Sequence, residues 1–408
     1  MSRILTPWRL RVYPRLLLAA MALAVAFTLA TGQGARIVSG RLGGDFAEFY
    51  AAGRLLANAP RSAAGLYDPA RQRAAQADLM PDGQAVFVPF AYPPQFALPY
   101  ALLTVLPYPA AFAAHLAAMG GLLFLAVALA CRESARTRGY VPAVFCAAVL
   151  FYPIFRALLG GQNTPLTLAL AAGAWALERR GRPVLAGLCL AALCYKPQFG
   201  LGLLGLYFLA GRWRMVLAGL AGAALVFAGN TVIFGPDWAT RWFTYAHWVV
   251  STSLAMEGEK AISFIGVCRA LLWASPQAAL FLGYGLALAT AVLCGAAFWT
   301  LRGRPVGLAH LGLAGAGLVL VAPHAYYYDA GLLFFGGLAL LDSGRRQAPA
   351  WVLGLWLAGL AQAVAWPLGL SPLFPAALAC FWLCLVPFPG RPGRHAPVAG
   401  PAPGSDRP

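Results

Sequence analysis

Residues 109–138 read PAAFAAHLAAMGGLLFLAVALACRESARTR: an almost unbroken apolar run from Pro109 to Cys131, then Arg132, Arg136 and Arg138 in quick succession. A helix that crosses a bilayer needs about 20 mainly apolar residues, and cytoplasmic loops are rich in Arg and Lys. The stretch therefore reads as one span followed by one inner loop. The same reading extends along the chain, because 61% of its 408 residues are hydrophobic and only 11% are charged. A soluble domain carries roughly 25% charged residues, so a cytosolic enzyme is excluded. The fold class is an all-α polytopic membrane protein.

Working outward, twelve apolar segments emerge, at about 15–31, 109–131, 140–159, 163–178, 183–195, 197–210, 215–234, 276–301, 305–322, 326–341, 349–366 and 371–388. With a cytoplasmic N-terminus, strict alternation places every basic cluster inside: Arg132, Arg136 and Arg138; Arg179, Arg180 and Arg182; Arg212 and Arg214; Arg302 and Arg304; Arg345 and Arg346; Arg391 and Arg394. The expected topology has both termini cytoplasmic. The net charge of +17 is thus a topology signal and implies no nucleic-acid partner. The first run, Leu16 to Ala30, follows four arginines as a signal peptide would, but with no convincing cleavage pattern it is expected to remain as the first helix. Lys196 and Lys260 are the only lysines among 30 basic residues. With heavy Ala and Gly use, this composition suggests a GC-rich bacterial genome and so a bacterial inner (plasma) membrane location.

Two outer segments exceed simple links. The first, 32–108, holds an expected amphipathic helix from Phe46 to Asn58, a turn at Tyr67, Asp68 and Pro69, and FAYPPQFALPYALLTVLP, which is apolar but broken by proline. That last piece is expected to be re-entrant or interfacial. The second, 235–275, carries Trp238, Trp242, Tyr245, His247 and Trp248, residues suited to a membrane interface. Residues 1–390 form one integral membrane unit, and 391–408 an expected disordered cytoplasmic tail. The eight cysteines fall mostly in apolar runs and read as small buried side chains.

Nine of the 13 acidic residues fall on the expected outer side: Asp45, Glu48, Asp68, Asp78, Asp82, Asp237, Glu257, Glu259 and Asp329. Gln162, Asn163, Lys196 and His324 fall there too, and polar groups at membrane depth point to function by default. Asp45, in GGDFAEFYAAGRLL, has two readings. With Glu48 three residues on it fits a capping box; a carboxylate held rigidly at a helix start also suits a general base. Lys196, in CYKPQFG, either snorkels to the interface or neutralises a lipid phosphate. Arg156 and GGQNTP offer a second cation and amide donors, or an ordinary polar turn. APHAYYYDAG sets His324, Tyr328 and Asp329 at the start of a span, as an aromatic belt or as part of a site. His115 and His310 read as packed helix residues. No nucleotide loop, dinucleotide fingerprint or metal-binding run is present, so no cofactor is expected.

The order GGDFAEFYAAGRLL, LYDP, FAYPPQFALPYALLTVLP, GGQNTPLTLAL, AGLCLAALCYKPQFGLGLLGLYFLAGRWR and APHAYYYDAG resembles glycosyltransferase family 87 over about residues 10–345. The resemblance implies a GT-C-like bundle and a hexosyltransferase that moves a sugar, mannose in the typical member, from a polyprenyl-phosphate donor to an acceptor hydroxyl. It implies Asp45 as the general base on the outer face. Glu48, Arg156, Gln162, Asn163, Lys196, His324, Tyr328 and Asp329 are the expected substrate-binding residues. Some GT-C enzymes pair acidic residues around this aspartate to hold a metal; here the partner is Glu48, three positions on, and no metal is expected. The donor, a glycan or lipid acceptor and the surrounding membrane lipids are the expected partners. A transporter or flippase would also suit twelve spans, but it should carry coupling groups near mid-membrane and often two related halves; the polar candidates instead sit at outer ends and no internal repeat is seen.

Overall fold

Each of the twelve apolar segments holds a helix in the computed structural model, which describes residues 6–30, 36–37, 40–41, 43–59, 63–79, 87–256, 260–365 and 368–386. In chain order the helices are α1 (Pro7–Ala30), α2 (Phe46–Asn58), α3 (Ala63–Leu66), α4 (Pro69–Gln76), α5 (Leu98–Leu103), α6 (Tyr108–Arg132), α7 (Val141–Leu150), α8 (Tyr152–Gly160), α9 (Thr164–Arg179) and α10 (Pro183–Leu193). They continue with α11 (Pro197–Leu209), α12 (Trp213–Phe234), α13 (Trp238–Met256), α14 (Phe264–Leu271), α15 (Pro276–Trp299), α16 (Leu308–Val321), α17 (Leu333–Ser343), α18 (Ala348–Ala365) and α19 (Leu373–Leu385). Among the described residues the only sheet is a two-residue ribbon, Arg36–Ile37 antiparallel to Gly40–Arg41. The tail 391–408 and the acidic residues Asp82, Glu257 and Glu259 lie outside the described residues.

Among the described residues four helices, α6, α12, α15 and α18, are long and apolar enough to cross a bilayer on their own. The segment expected at 140–159 is not one straight rod. It bends by 73° between α7 and α8, and counted as one span it makes a fifth. Pro153, in the first turn of α8, marks the break, since a proline there cannot donate to the preceding turn. The helices α10, α11, α16 and α19 are apolar but only 11 to 14 residues long.

The two ends of the bundle differ in chemistry. At one end Arg179 Nη2 lies 3.1 Å from Glu133, Arg212 Nε 2.6 Å from Glu178, and Ser134 donates to Asp342 at 2.9 Å. Arg179 and the Trp175 indole both donate to the Val306 carbonyl, at 3.2 and 2.8 Å. The arginine-bearing loops therefore gather into one layer. α9 starts elsewhere: Thr164 donates to the Tyr328 carbonyl at 3.2 Å. Its 16 residues, at about 1.5 Å each, put roughly 24 Å between the two ends.

The expected amphipathic helix α2 is more enclosed than its pattern implied. Phe46 to Gly53 are buried on every face, and only Ala57 and Asn58 reach open solvent. Phe46 and Phe49 stand among Tyr50, Tyr100, Tyr108, Phe112 and His115. A Cβ on Gly53 would lie 2.5 Å from the Tyr100 carbonyl carbon, so a side chain there would hold α5 away. FAYPPQFALPYALLTVLP forms an extended stretch, the 3₁₀ turn Pro94–Ala97 and α5, with Leu102 and Val105 exposed. α13 closes this second core with Trp238, Trp242, Tyr245 and Val249.

Candidate active site

The start of α2 is docked onto the turn between α8 and α9 by two backbone bonds, Gly43 N to Leu159 O at 2.7 Å and Asp45 N to Gly160 O at 2.9 Å. Contact this close needs glycine. Gly161 has φ +85°, and a Cβ on it would lie 2.5 Å from the Phe46 Cβ. Asp45 precedes α2 with a helical backbone, and its side chain makes no capping bond. The carboxylate lies over Gly160 instead: a Cβ there would be 2.9 Å from Asp45 Oδ2 and 3.8 Å from Arg156 Nη2. The capping-box reading of Asp45 and Glu48 therefore fails on geometry.

Arg156, on α8, is buried, and its Nε and Nη1 have no protein partner among the described residues. The Tyr327 phenol lies within hydrogen-bond reach of Arg156 and feels the charge of Asp45. A buried guanidinium with open donors is costly unless an anion completes it.

One turn into α2, Glu48 is sealed in the interior. Burial first, and then the negative Asp45, raise its pKa well above the ordinary carboxyl range; Lys196 and a bond from Gln162 oppose the shift less strongly. Gln162 Nε2 donates to Glu48 Oε1 at 3.4 Å. The neighbouring Asn163 accepts from the Tyr195 hydroxyl at 3.2 Å, and that hydroxyl lies 2.6 Å from Thr167 Oγ1. The Tyr195 ring stacks on Phe96 at 4.4 Å, and Phe96 on Tyr92 at 5.1 Å. Gln162 Oε1 and Asn163 Nδ2 are buried without partners among the described residues.

Lys196 does not snorkel. Its ammonium lies 2.8 Å from Asp329 Oδ1, both side chains are buried, and the Tyr328 ring is 5.6 Å away. The second Asp329 oxygen accepts from the Tyr326 N–H at 3.2 Å. That segment is held by a bridge to the chain after Lys260: Ile262 N donates to Ala325 O and Tyr327 N to Lys260 O. His324 lies beside Tyr326, ring centroids 4.3 Å apart, at the half-buried rim.

Asp45, Glu48, Arg156, Gln162, Asn163, Lys196, Tyr328 and Asp329 thus come from five separate stretches of chain into one polar cluster, with His324 at its edge. Tyr92, Tyr195, Thr167 and Tyr327 join them and were not singled out by sequence. Tyr195 adjoins Lys196 and Tyr92 sits in FAYPPQF, so both lay inside the motifs already noted. His115 packs on Phe46 at 5.0 Å, and His310 Nδ1 accepts from Gly307 N at 3.2 Å; neither enters the cluster. Among the described residues no three His, Cys, Asp or Glu side chains gather as metal ligands would.

A helical bundle with membrane-length apolar helices and, at one end, a carboxylate beside an arginine with open donors defines a membrane protein equipped to handle a charged group. Its lineage is specific: the chain belongs to glycosyltransferase family 87, whose family model matches residues 90–323, more than half of its length. It is accordingly a glycosyltransferase, with a sugar donor and an acceptor. Arg156, Gln162, Asn163 and Lys196 fall within the matched region; Asp45, Glu48, His324, Tyr328 and Asp329 fall outside it. No curated protein and no solved structure gives a significant match.

Proposed function

We propose that the chain transfers a sugar, expected to be mannose, from a polyprenyl-phosphate donor to an acceptor hydroxyl on the extracytoplasmic side of a bacterial inner membrane, with Asp45 as general base. The observation that carries this reading is the placement of the Asp45 carboxylate, which lies over Gly160 close to Arg156. In the reaction the acceptor proton passes to Asp45 and the freed oxygen attacks the anomeric carbon. The bond to the phosphate oxygen breaks, and its electron pair leaves with the lipid phosphate.

Arg156 is the group best suited to that leaving phosphate, since fixed donors aimed at developing charge give large transition-state stabilisation. Lys196 contributes less net charge because Asp329 already offsets it. Twelve spans, residues 1–390 as one catalytic unit and both termini in the cytoplasm complete the proposal. The gathering of the arginine loops at the end of the bundle away from the cluster supports this orientation.

The test supplies membranes bearing the protein with radiolabelled polyprenyl-phosphate mannose and a glycan or lipid acceptor. Label transfer lost in Asp45→Asn and kept in Asp68→Asn is the expected result. Asp68 is a sound control, because its carboxylate caps α4 through Ala70 N and Arg71 N and Asn caps about as well as Asp. Equal transfer by Asp45→Asn overturns the assignment.

A further inference from the structure

An open groove of about 530 Å³ lies between α13 and the α3–α4 turn, lined by Ala64, Tyr67, Pro69, Thr240, Arg241, Thr244, Tyr245 and Trp248. The volume is within the range of small-ligand sites, about 300–1,000 Å³. Tyr67, Tyr245 and Trp248 pack in series, with centroids 5.8 Å apart from Tyr67 to Tyr245 and 5.5 Å from Tyr245 to Trp248; the two tyrosines are buried and only Trp248 turns an open ring to the groove. The two tyrosine hydroxyls are already engaged, Tyr67 donating to the Tyr92 carbonyl at 2.8 Å and Tyr245 to Gln72 Oε1 at 3.1 Å. Those bonds fix the ring orientations before any ligand arrives.

We infer that this groove is a subsite for a neutral oligosaccharide, the outer part of a glycan acceptor. The inference rests on the glycosyl-transfer reading for the class of its ligand. The negative faces of aromatic rings attract the weakly positive C–H groups on the flat side of a sugar ring, and the Thr240 and Thr244 hydroxyls and the Arg241 fork suit its hydroxyls. Arg241 is paired with Asp237 at 2.6 Å, which removes the net charge an anionic ligand would need. Among the described residues no Leu, Ile, Val, Phe or Met lines the groove, and an indole ring beside hydroxyls and a guanidinium suits a sugar ring. A chain of contacts runs from the groove to the cluster: the backbone of Tyr92 accepts from Tyr67, its ring stacks on Phe96, and Phe96 stacks on Tyr195.

The test uses the full chain in detergent as Asp45→Asn, so that nothing is consumed, with linear mannotetraose, maltotetraose and cellotetraose as probes. Saturation-transfer NMR should show contact with at least one tetrasaccharide; the signal should fall about tenfold in Trp248→Ala, recover in Trp248→Phe and be unchanged in Phe243→Ala, on the same helix outside the groove. Trp248 is 41% exposed, so its truncation leaves the fold intact. On the active protein, Trp248→Ala should raise the KM for a tetrasaccharide acceptor about tenfold relative to that for a monosaccharide. Binding to none of the three probes, contact insensitive to Trp248→Ala, or displacement of the sugar by a short-chain fatty acid overturns the subsite. Absence of label transfer alongside intact binding would count against the glycosyl-transfer reading and leave the subsite standing.

Discussion

Lys196 and Asp329 form a buried ion pair, 2.8 Å from Nζ to Oδ1, that joins the start of α11 to the turn before α17 across 133 residues of chain. Removing one member of such a pair leaves a buried charge uncompensated, at a cost of about 3–5 kcal/mol, whereas replacing both by apolar groups is often nearly neutral. Lys196→Met and Asp329→Leu should each lower the thermal midpoint in detergent markedly. The double variant Lys196→Met with Asp329→Leu should recover most of the loss. Additive losses would show that the two side chains are not coupled.

The same pair sets an order between the two cations. Arg156 keeps Nε and Nη1 without partners among the described residues, while the Lys196 ammonium is already neutralised. Arg156→Met should raise the donor KM by about 10²-fold, the loss of one or two charge-assisted hydrogen bonds at about 1.5–3 kcal/mol each, with the acceptor KM little changed. In Lys196→Met the donor effect should be smaller and the stability loss larger. Steady-state kinetics with donor and acceptor varied separately decide this, and equal effects on both substrates in Arg156→Met would remove it from the donor phosphate.

Glu48 makes stability depend on pH in a definite direction. Its pKa is raised in the folded protein by burial and by Asp45, so the folded state holds the proton over a range where the unfolded chain has released it. The stability this confers is complete below the ordinary carboxyl range and is lost as pH rises through the folded value. Glu48→Gln keeps the amide-like hydrogen bonding to Gln162 and removes the titration. Its thermal midpoint should fall less than that of the parent protein as pH rises, the two curves diverging on the alkaline side. Parallel curves would mean that Glu48 is not the titrating group.

Much of this architecture is legible in the chain because lipid imposes simple rules. The run 109–131 with its trailing arginines becomes α6 and a loop paired through Glu133 to Arg179. The motifs carrying Asp45, Gln162, Lys196 and Asp329 are visible as polar groups at the ends of apolar segments. Their partners are not, because pairings such as Lys196 with Asp329 join residues far apart in sequence and no local period encodes them. The bend between α7 and α8 is missed because composition alone is continuous across Pro153. The enclosure of α2 is missed because neighbours as distant as Tyr100 and Phe112 bury the face that a helical pattern assigns to solvent.

Two adjacent glycines should separate stability from chemistry. Gly161 has φ +85°, and an added Cβ would lie 2.5 Å from the Cβ of Phe46, an atom fixed close to the backbone of α2. Backbone strain of about 1–2 kcal/mol adds to about 1–3 kcal/mol of overpacking, so Gly161→Ala should lower the thermal midpoint substantially. Gly160 lies within α8 without a positive φ, and its added Cβ would meet Asp45 Oδ2 at 2.9 Å, the far end of a side chain that can swing away. Gly160→Ala should therefore leave the midpoint almost unchanged while kcat falls about 10²-fold, the scale of rate loss when a catalytic group is misplaced by about 1 Å. Thermal unfolding and label transfer measured on the two variants give opposite patterns if Asp45 is the base. Full activity in Gly160→Ala would mean that the position of that carboxylate does not matter to transfer.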